Sequence, residues 1–248
     1  MSALLMIVSR NPQPGIQALL ANNGYRVRAS PRVLAQEDDE EAPAAIIADF
    51  DEPFTEGPDI CRQLRRRYNV PLVAMSQPDE SFEVALLDAG ADDYVARPCG
   101  TQRLLARIRL ALRRNSEPTD AAPLNVGVFE IDFLDHRVRV GGRPVRLTPK
   151  EFDLFVFMAR RPNRVLKHRA ILSAVWGEAA SDRAEYLRVF MGQLRRKLEA
   201  QPGNPRYLLT EPWVGYRFSP FEATPARGTT APSVIPGKFQ AREVTVPA

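Results

Sequence analysis

Residues 147–155 read LTPKEFDLF, and this stretch carries its own folding instructions. Thr148 is suited to cap a helix, Pro149 occupies the first helical position where its missing N–H costs nothing, and Glu151 can reach back to the cap's N–H in a capping box. The helix that follows buries Phe152, Phe155 and Val156. Downstream, the spacing predicts a second helix near Arg169–Val175 and a third from about Asp182 to Glu199, with Glu185 in the reciprocal capping position. Leu187, Met191, Leu194 and Leu198 fall on one stripe of that third helix and read as core. Tyr207–Thr210 and Gly215–Phe218 are two β runs joined by a turn containing Pro212 and Gly215. Upstream, Val126–Ile131, Arg137–Val140 and Val145–Leu147 read as short strands, so residues 124–219 form an α+β module.

The first half has a different rhythm. Ala3–Val8, Ala44–Ala48, Leu72–Met75 and Asp93–Val95 read as buried strands, with a weaker one at Tyr25–Ala29. Ile16–Asn23, Ile60–Tyr68, Phe82–Ala89 and Thr101–Arg113 place apolar residues at helical spacing between them. Alternation of this kind implies a doubly wound, five-stranded parallel sheet over residues 1–114, with functional groups at the carboxyl ends of the strands. Residues 115–123, NSEPTDAAP, lack periodicity and read as a linker. Residues 220–248, rich in Pro, Thr and Ala, read as a disordered tail.

Charge separates the two halves. The chain of 248 residues has 34 Lys+Arg against 30 Asp+Glu, but residues 124–219 alone carry 17 basic and 10 acidic side chains while residues 1–114 carry 14 and 16. A positive block of that size is a footprint for a polyanion. Cys61, Cys99, His136 and His168 lack metal-ligand spacing, and both cysteines read as packing residues. No apolar run approaches the ~20 residues of a membrane span, and Ala3–Val8 is too short for a secretory signal, so a cytoplasmic location is expected. No nucleophile–base set or phosphate-binding glycine loop is present in the sequence, which argues against an enzyme.

On the third helix Arg188, Gly192 and Arg195 share a face, flanked by Val189, Gln193 and Arg196; guanidinium groups there can reach guanine edges or phosphates. LTPKEFDLF, together with YLRVFMGQLRRKLE at residues 186–199 and GYRF at 215–218, resembles the winged-helix half of the OmpR/PhoB family, its KdpE branch in particular. The resemblance implies a recognition helix in a major groove and a hairpin wing across the minor groove of promoter DNA. It also implies a loop at residues 176–181 that touches RNA polymerase. Arg188, Arg195, Arg196 and Arg217, with Thr210 and Tyr216 on the wing, are the candidate DNA contacts.

The first half resembles the same family's receiver domain, the flavodoxin/CheY-like unit. IIADFDEP supplies the phosphoacceptor position Asp49 with Pro53 four residues on, Ser76 the hydroxyl switch position, and Tyr94 the aromatic switch. Two positions depart from the pattern. The family's acidic metal-binding pair is replaced by Ser9, Arg10 and Asn11, and its Lys-Pro by Arg97-Pro98. A guanidinium ~4 Å from a dication at effective ε ~20 repels it by about 8 kcal/mol before screening. The resemblance therefore implies weak or absent Mg²⁺ binding, slow or absent phosphorylation of Asp49, and Arg10 or Arg97 paired with Asp49. Asp92, Asp93, Arg107 and Arg109 match the family's dimer face, so a homodimer is expected. Control then falls to a partner, protein level or a small-molecule ligand. The alternative is an ordinary two-component regulator phosphorylated on Asp49 by a histidine kinase.

Overall fold

The computed structural model describes residues 2–11, 13–31, 41–50, 56–116, 122–180 and 183–220. The expected tail from residue 221 onward and most of the expected linker, residues 117–121, lie outside them. Strands β1 (Leu4–Ser9), β2 (Arg26–Ser30), β3 (Ala45–Asp49), β4 (Leu72–Ser76) and β5 (Asp93–Ala96) form one sheet in the order β2-β1-β3-β4-β5. Every pairing in it is parallel. Helices α1 (Pro14–Asn22), α2 (Gly57–Arg67), α3 (Glu80–Asp88) and α4 (Thr101–Ser116) connect the strands. The strands read as unbroken apolar runs because both faces are covered. Leu5, Ile7, Ile47, Val73 and Val95 meet Leu20, Leu104 and Ile108 on one side. Met6, Val8, Ile46 and Ala74 meet Cys61, Leu64, Phe82 and Leu86 on the other. Cys61 is fully buried, and burial pushes its thiol up to about 12, so it is a packing residue as expected.

The second half begins with the antiparallel sheet β6 (Leu124–Val126), β7 (Phe129–Asp132), β8 (Arg137–Val140) and β9 (Arg143–Val145). The single strand expected at 126–131 is two, because Gly127 adopts φ 59° and turns the chain back on itself. Then come α5 (Pro149–Ala159), β10 (Val165–Lys167), α6 (His168–Trp176), a 3₁₀ turn at Glu178–Ala180, α7 (Ala184–Leu198), β11 (Leu208–Glu211) and β12 (Gly215–Phe218). The capping box forms: Glu151 N–H donates to Thr148 Oγ1 at 3.3 Å and Thr148 N–H to Glu151 Oε2 at 2.7 Å.

Two expectations need correction. Of the α7 box expected on Asp182 and Glu185, Asp182 lies outside the described residues; the N-cap residue is Arg183, which makes no side-chain cap bond. The Arg183 guanidinium, which has no acceptor to offer the helix N–H groups, pairs with Glu83 of the first half. Strand β10, three residues long and too short to show periodicity, pairs with β12 and completes a sheet β10-β12-β11. It lies so close to β12 that a Cβ on Gly215 would meet Leu166 O at 1.9 Å, which accounts for the glycine of GYRF.

The core of this half is aromatic. Phe129, Phe155 and Phe218, each no more than 1% exposed, stack around one another with ring centroids 5.2–5.4 Å apart, and Tyr207 closes over Phe129 at 4.9 Å. One ring comes from each of three elements, so the cluster ties the first sheet, α5 and the wing together. Phe155→Ala should lower the urea unfolding free energy by about 3–5 kcal/mol; a loss under ~1 kcal/mol would show that the cluster does not carry this half.

Candidate nucleic-acid interface and receiver pocket

The carboxyl ends of β1, β3, β4 and β5 bring Ser9, Asp49, Ser76 and, just beyond β5, Arg97 to one end of the sheet, where β1 and β3 place Ser9 beside Asp49. Asp49 is 2% exposed. Its Oδ1 accepts a charge-assisted hydrogen bond from Arg97 Nη2, so of the two guanidinium groups considered for this role Arg97 fills it. Arg10 turns to the surface and pairs with Glu56. Ser9 Oγ accepts the Asn11 N–H at 3.2 Å. Ser76 Oγ and Tyr94 OH share a hydrogen bond of 2.9 Å, and the phenol also donates to Gln77 O at 2.9 Å. Burial raises the Tyr94 phenol above its ordinary value. Pro53 lies outside the described residues. A Mg²⁺ ion does not fit this donor set: the positions of the acidic pair hold a hydroxyl, a guanidinium and an amide, and the Asp49 carboxylate already touches a cation.

In the second half, the third-helix stripe Leu187, Met191, Leu194 and Leu198 is buried as expected. The candidate DNA residues divide into two groups. Arg188 is exposed on α7. Arg195 is drawn back against the wing, where Nε and Nη2 donate to Leu208 O at 2.9 and 2.6 Å and Nη2 also reaches Thr210 Oγ1 at 2.7 Å. Its guanidinium lies over the Tyr216 ring at 5.8 Å, so Arg195 braces helix against hairpin. Burial raises the Tyr216 phenol, with Arg195 and Arg188 acting in the opposite sense. Arg217 Nε donates to Glu211 at 2.7 Å, and Arg196 pairs with Asp88 of the first half at 2.8 Å.

A sheet order of 2-1-3-4-5 joined to a helix–hairpin module can be compared with known proteins. Residues 11–109 match the family described as response regulator receiver domain, and residues 142–218 that described as transcriptional regulatory protein, C terminal. The KDP operon transcriptional regulatory protein KdpE of Escherichia coli K12 is 41% identical over 178 residues, 71% of this chain and 79% of that protein. KdpE of Mycobacterium tuberculosis H37Rv is 38% identical over 226 residues, 87% of this chain and 98% of that protein. The chain belongs to the OmpR/PhoB family of response regulators. Among solved structures, a RitR cysteine mutant has a TM-score of 0.65 at 19% identity over 88% of this chain and 99% of that one, a likeness of fold. Among the described residues, no helix of this OmpR/PhoB-type DNA-binding response regulator is long and apolar enough to cross a membrane.

The regulator's two halves meet along α3, β5 and α4, with α7 against α3. Gln193 Nε2 donates to Leu87 O at 2.8 Å, Arg183 pairs with Glu83, and Arg196 with Asp88. Tyr186 OH lies 3.5 Å from Tyr94 O, and burial, with the nearby Asp93 and Glu83 charges, raises its phenol strongly. Trp176 Nε1 donates to Asp92 O at 3.2 Å, and Arg107 holds Asp93 at 2.9 Å while reaching Trp176 O at 3.4 Å. Three of the four residues matched to a dimer face, Asp92, Asp93 and Arg107, are therefore buried between the domains of one chain, and Arg109 is exposed, 3.5 Å from Asn23. Nothing in the local sequence signals these contacts between the halves, whose partners lie 69 to 108 residues apart.

The split between Arg188 and Arg195 is testable. Arg195→Ala should lower the unfolding midpoint, because it leaves Leu208 O and Thr210 without their donor, at a cost of ~1–3 kcal/mol. Arg188→Ala should leave the midpoint unchanged and weaken binding in a promoter shift assay. Identical behaviour of the two variants would refute the division.

Proposed function

We propose that this regulator binds promoter DNA as a dimer and that its receiver governs access to α7 by domain closure, not by Mg²⁺-dependent phosphorylation of Asp49. The observation that carries the reading is the Arg97–Asp49 pair, which occupies the phosphoacceptor with a fixed cation. Phosphoryl transfer to a carboxylate needs metal to neutralise the incoming charge, and the pocket's donors do not suit the metal. One flank of α7 is held on the receiver at the same time, through Arg183, Gln193 and Arg196, while Arg188 stays exposed. A helix in the major groove, ~12 Å wide, is flanked by phosphates on both sides, so a domain packed along α7 obstructs one flank.

In this reading the closed chain is the resting state. Opening frees Asp92, Asp93 and Arg107 for a homodimer contact and Arg196 for phosphate, with Arg188 reading bases and Arg217, Thr210 and Tyr216 lying along the wing. The segment at residues 176–180, which rests on the receiver through Trp176, becomes available to RNA polymerase on the same movement. The trigger is a partner or small ligand that prefers the open state by differential affinity. A second reading, ordinary phosphorylation by a histidine kinase, draws support from the intact Ser76–Tyr94 switch geometry.

Intact mass and sedimentation of the full chain with Mg²⁺ and acetyl phosphate distinguish the two. The proposed reading expects no phosphoryl gain on Asp49 and an unchanged oligomeric state; a gain accompanied by dimers would establish the second.

A further inference from the structure

The tip of the β11–β12 hairpin holds a residue that the contacts above leave unused. Residues 211–214 make a turn closed by Val214 N–H donating to Glu211 O at 3.1 Å, with Pro212 second and Trp213 third. Trp213 has φ 65°. Proline followed by positive φ is the pattern of a type II turn, whose third position favours Gly or Asn, and a bulky side chain there is a strained choice. The fold gives nothing in return: the Trp213 side chain is 99% exposed. Val214 beside it is 45% exposed, and Val165, farther along the wing sheet opposite Arg217, is 46% exposed. Their surroundings are cationic, with exposed Lys167 and Arg169 following Val165 and with Arg188 and Arg195 acting on Tyr216 of the next strand. An apolar tip beside basic side chains fits a polyanion whose narrow groove has apolar sugar walls, which is duplex DNA.

We propose that Trp213 is a minor-groove reading residue that favours A·T at the step beneath the wing. The proposal rests on the DNA-binding reading. The indole Nε1–H is a donor and has no acceptor. The floor of an A·T minor groove offers acceptors alone, whereas G·C adds the guanine N2 amine, which sets donor against donor and raises the floor. Apolar side chains entering this groove are a general means of gripping and bending DNA. Pro212 fixes the backbone of the turn that presents the indole, so less backbone freedom is lost on binding.

The test uses the full chain with a bound promoter duplex, Trp213→Gly, and duplexes in which the wing-facing A·T pairs become G·C or inosine·cytosine. Inosine·cytosine keeps the G·C major groove but lacks the minor-groove amine. Trp176, the other tryptophan, is buried, so the acrylamide-quenchable emission reports Trp213. The expected result is that DNA protects Trp213 from acrylamide, and that Trp213→Gly weakens binding about tenfold without lowering the thermal midpoint. G·C should weaken the parent chain about tenfold while inosine·cytosine does not, and the variant should ignore the difference. Unchanged affinity and base preference in Trp213→Gly, with Trp213 still quenchable in the saturated complex, would overturn the proposal. Unchanged DNA binding with lost transcriptional activation would overturn it in favour of a protein contact. A full chain that binds no duplex even when the α3–α7 ion pairs are removed by charge reversal would instead remove the DNA-binding reading beneath it.

Discussion

The carboxylate of Asp92 is 3% exposed, at the joint between the two halves, and its position commits both of them. Oδ2 accepts from Arg65 and from Leu72 N–H at 2.8 Å, which fixes the receiver around it. Oδ1 accepts the Lys150 N–H at 3.0 Å, in the first turn of α5, where the free N–H groups and the helix dipole favour an anion. A carboxylate this deeply desolvated persists only when its oxygens are satisfied. The capping box that starts α5 thus does more than begin a helix: it aims the helix N-terminus at the receiver. Lys150 then reaches Val175 O at 3.1 Å and lies over the Trp176 ring, and Trp176 returns to Asp92 O.

That one joint couples functions that would otherwise be independent. The face holding Asp92, Asp93 and Arg107 can meet the winged helix of its own chain or the same face of a second copy, but not both at once. The route to the pocket is short. Arg97 holds Asp49 at the end of β3, Tyr94 lies on β5 with its hydroxyl on Ser76 and its carbonyl facing Tyr186, and Tyr186 stands beside Arg183 at the start of α7. A change at the sheet's carboxyl end reaches the recognition helix through side chains that already touch. Most of the charged contacts across the joint are partly exposed, and such pairs are each worth only ~0–1 kcal/mol. The exposed ion pairs therefore contribute little to closure, and the buried contacts of Asp92, Trp176 and Gln193 carry it.

What could be read from the sequence followed its local physics. The apolar runs of β1, β3 and β4 had to be buried on both faces, and LTPKEFDLF specified its own cap, so both architectures were legible. Asp49, Ser76, Tyr94 and Arg97 were found because IIADFDEP, PLVAMS and GADDYVARP resemble the receiver pattern, which the alternation of strands and helices supports. Strand β10 was missed because three residues carry no period, and its existence depends on Gly215 admitting a close neighbour. Arg195 looked like a DNA contact on helical spacing alone; its bond to Leu208 O depends on where the hairpin returns. Asp92, Asp93 and Arg107 were placed on a dimer face, and no property of one chain's local sequence distinguishes a face that meets a second copy from one that meets the same chain's other half.

The central claim is that the receiver controls DNA binding by covering α7, and reversing charge on the receiver side of that contact tests it most directly. Glu83 and Asp88 lie on α3 of the receiver and pair with Arg183 and Arg196, the second of which is itself a candidate phosphate contact. X-ray scattering and promoter affinity of the Glu83→Lys/Asp88→Lys double variant should show a more extended chain that binds about tenfold more tightly than the parent. A variant as compact as the parent, or an extended one with unchanged affinity, would contradict the account.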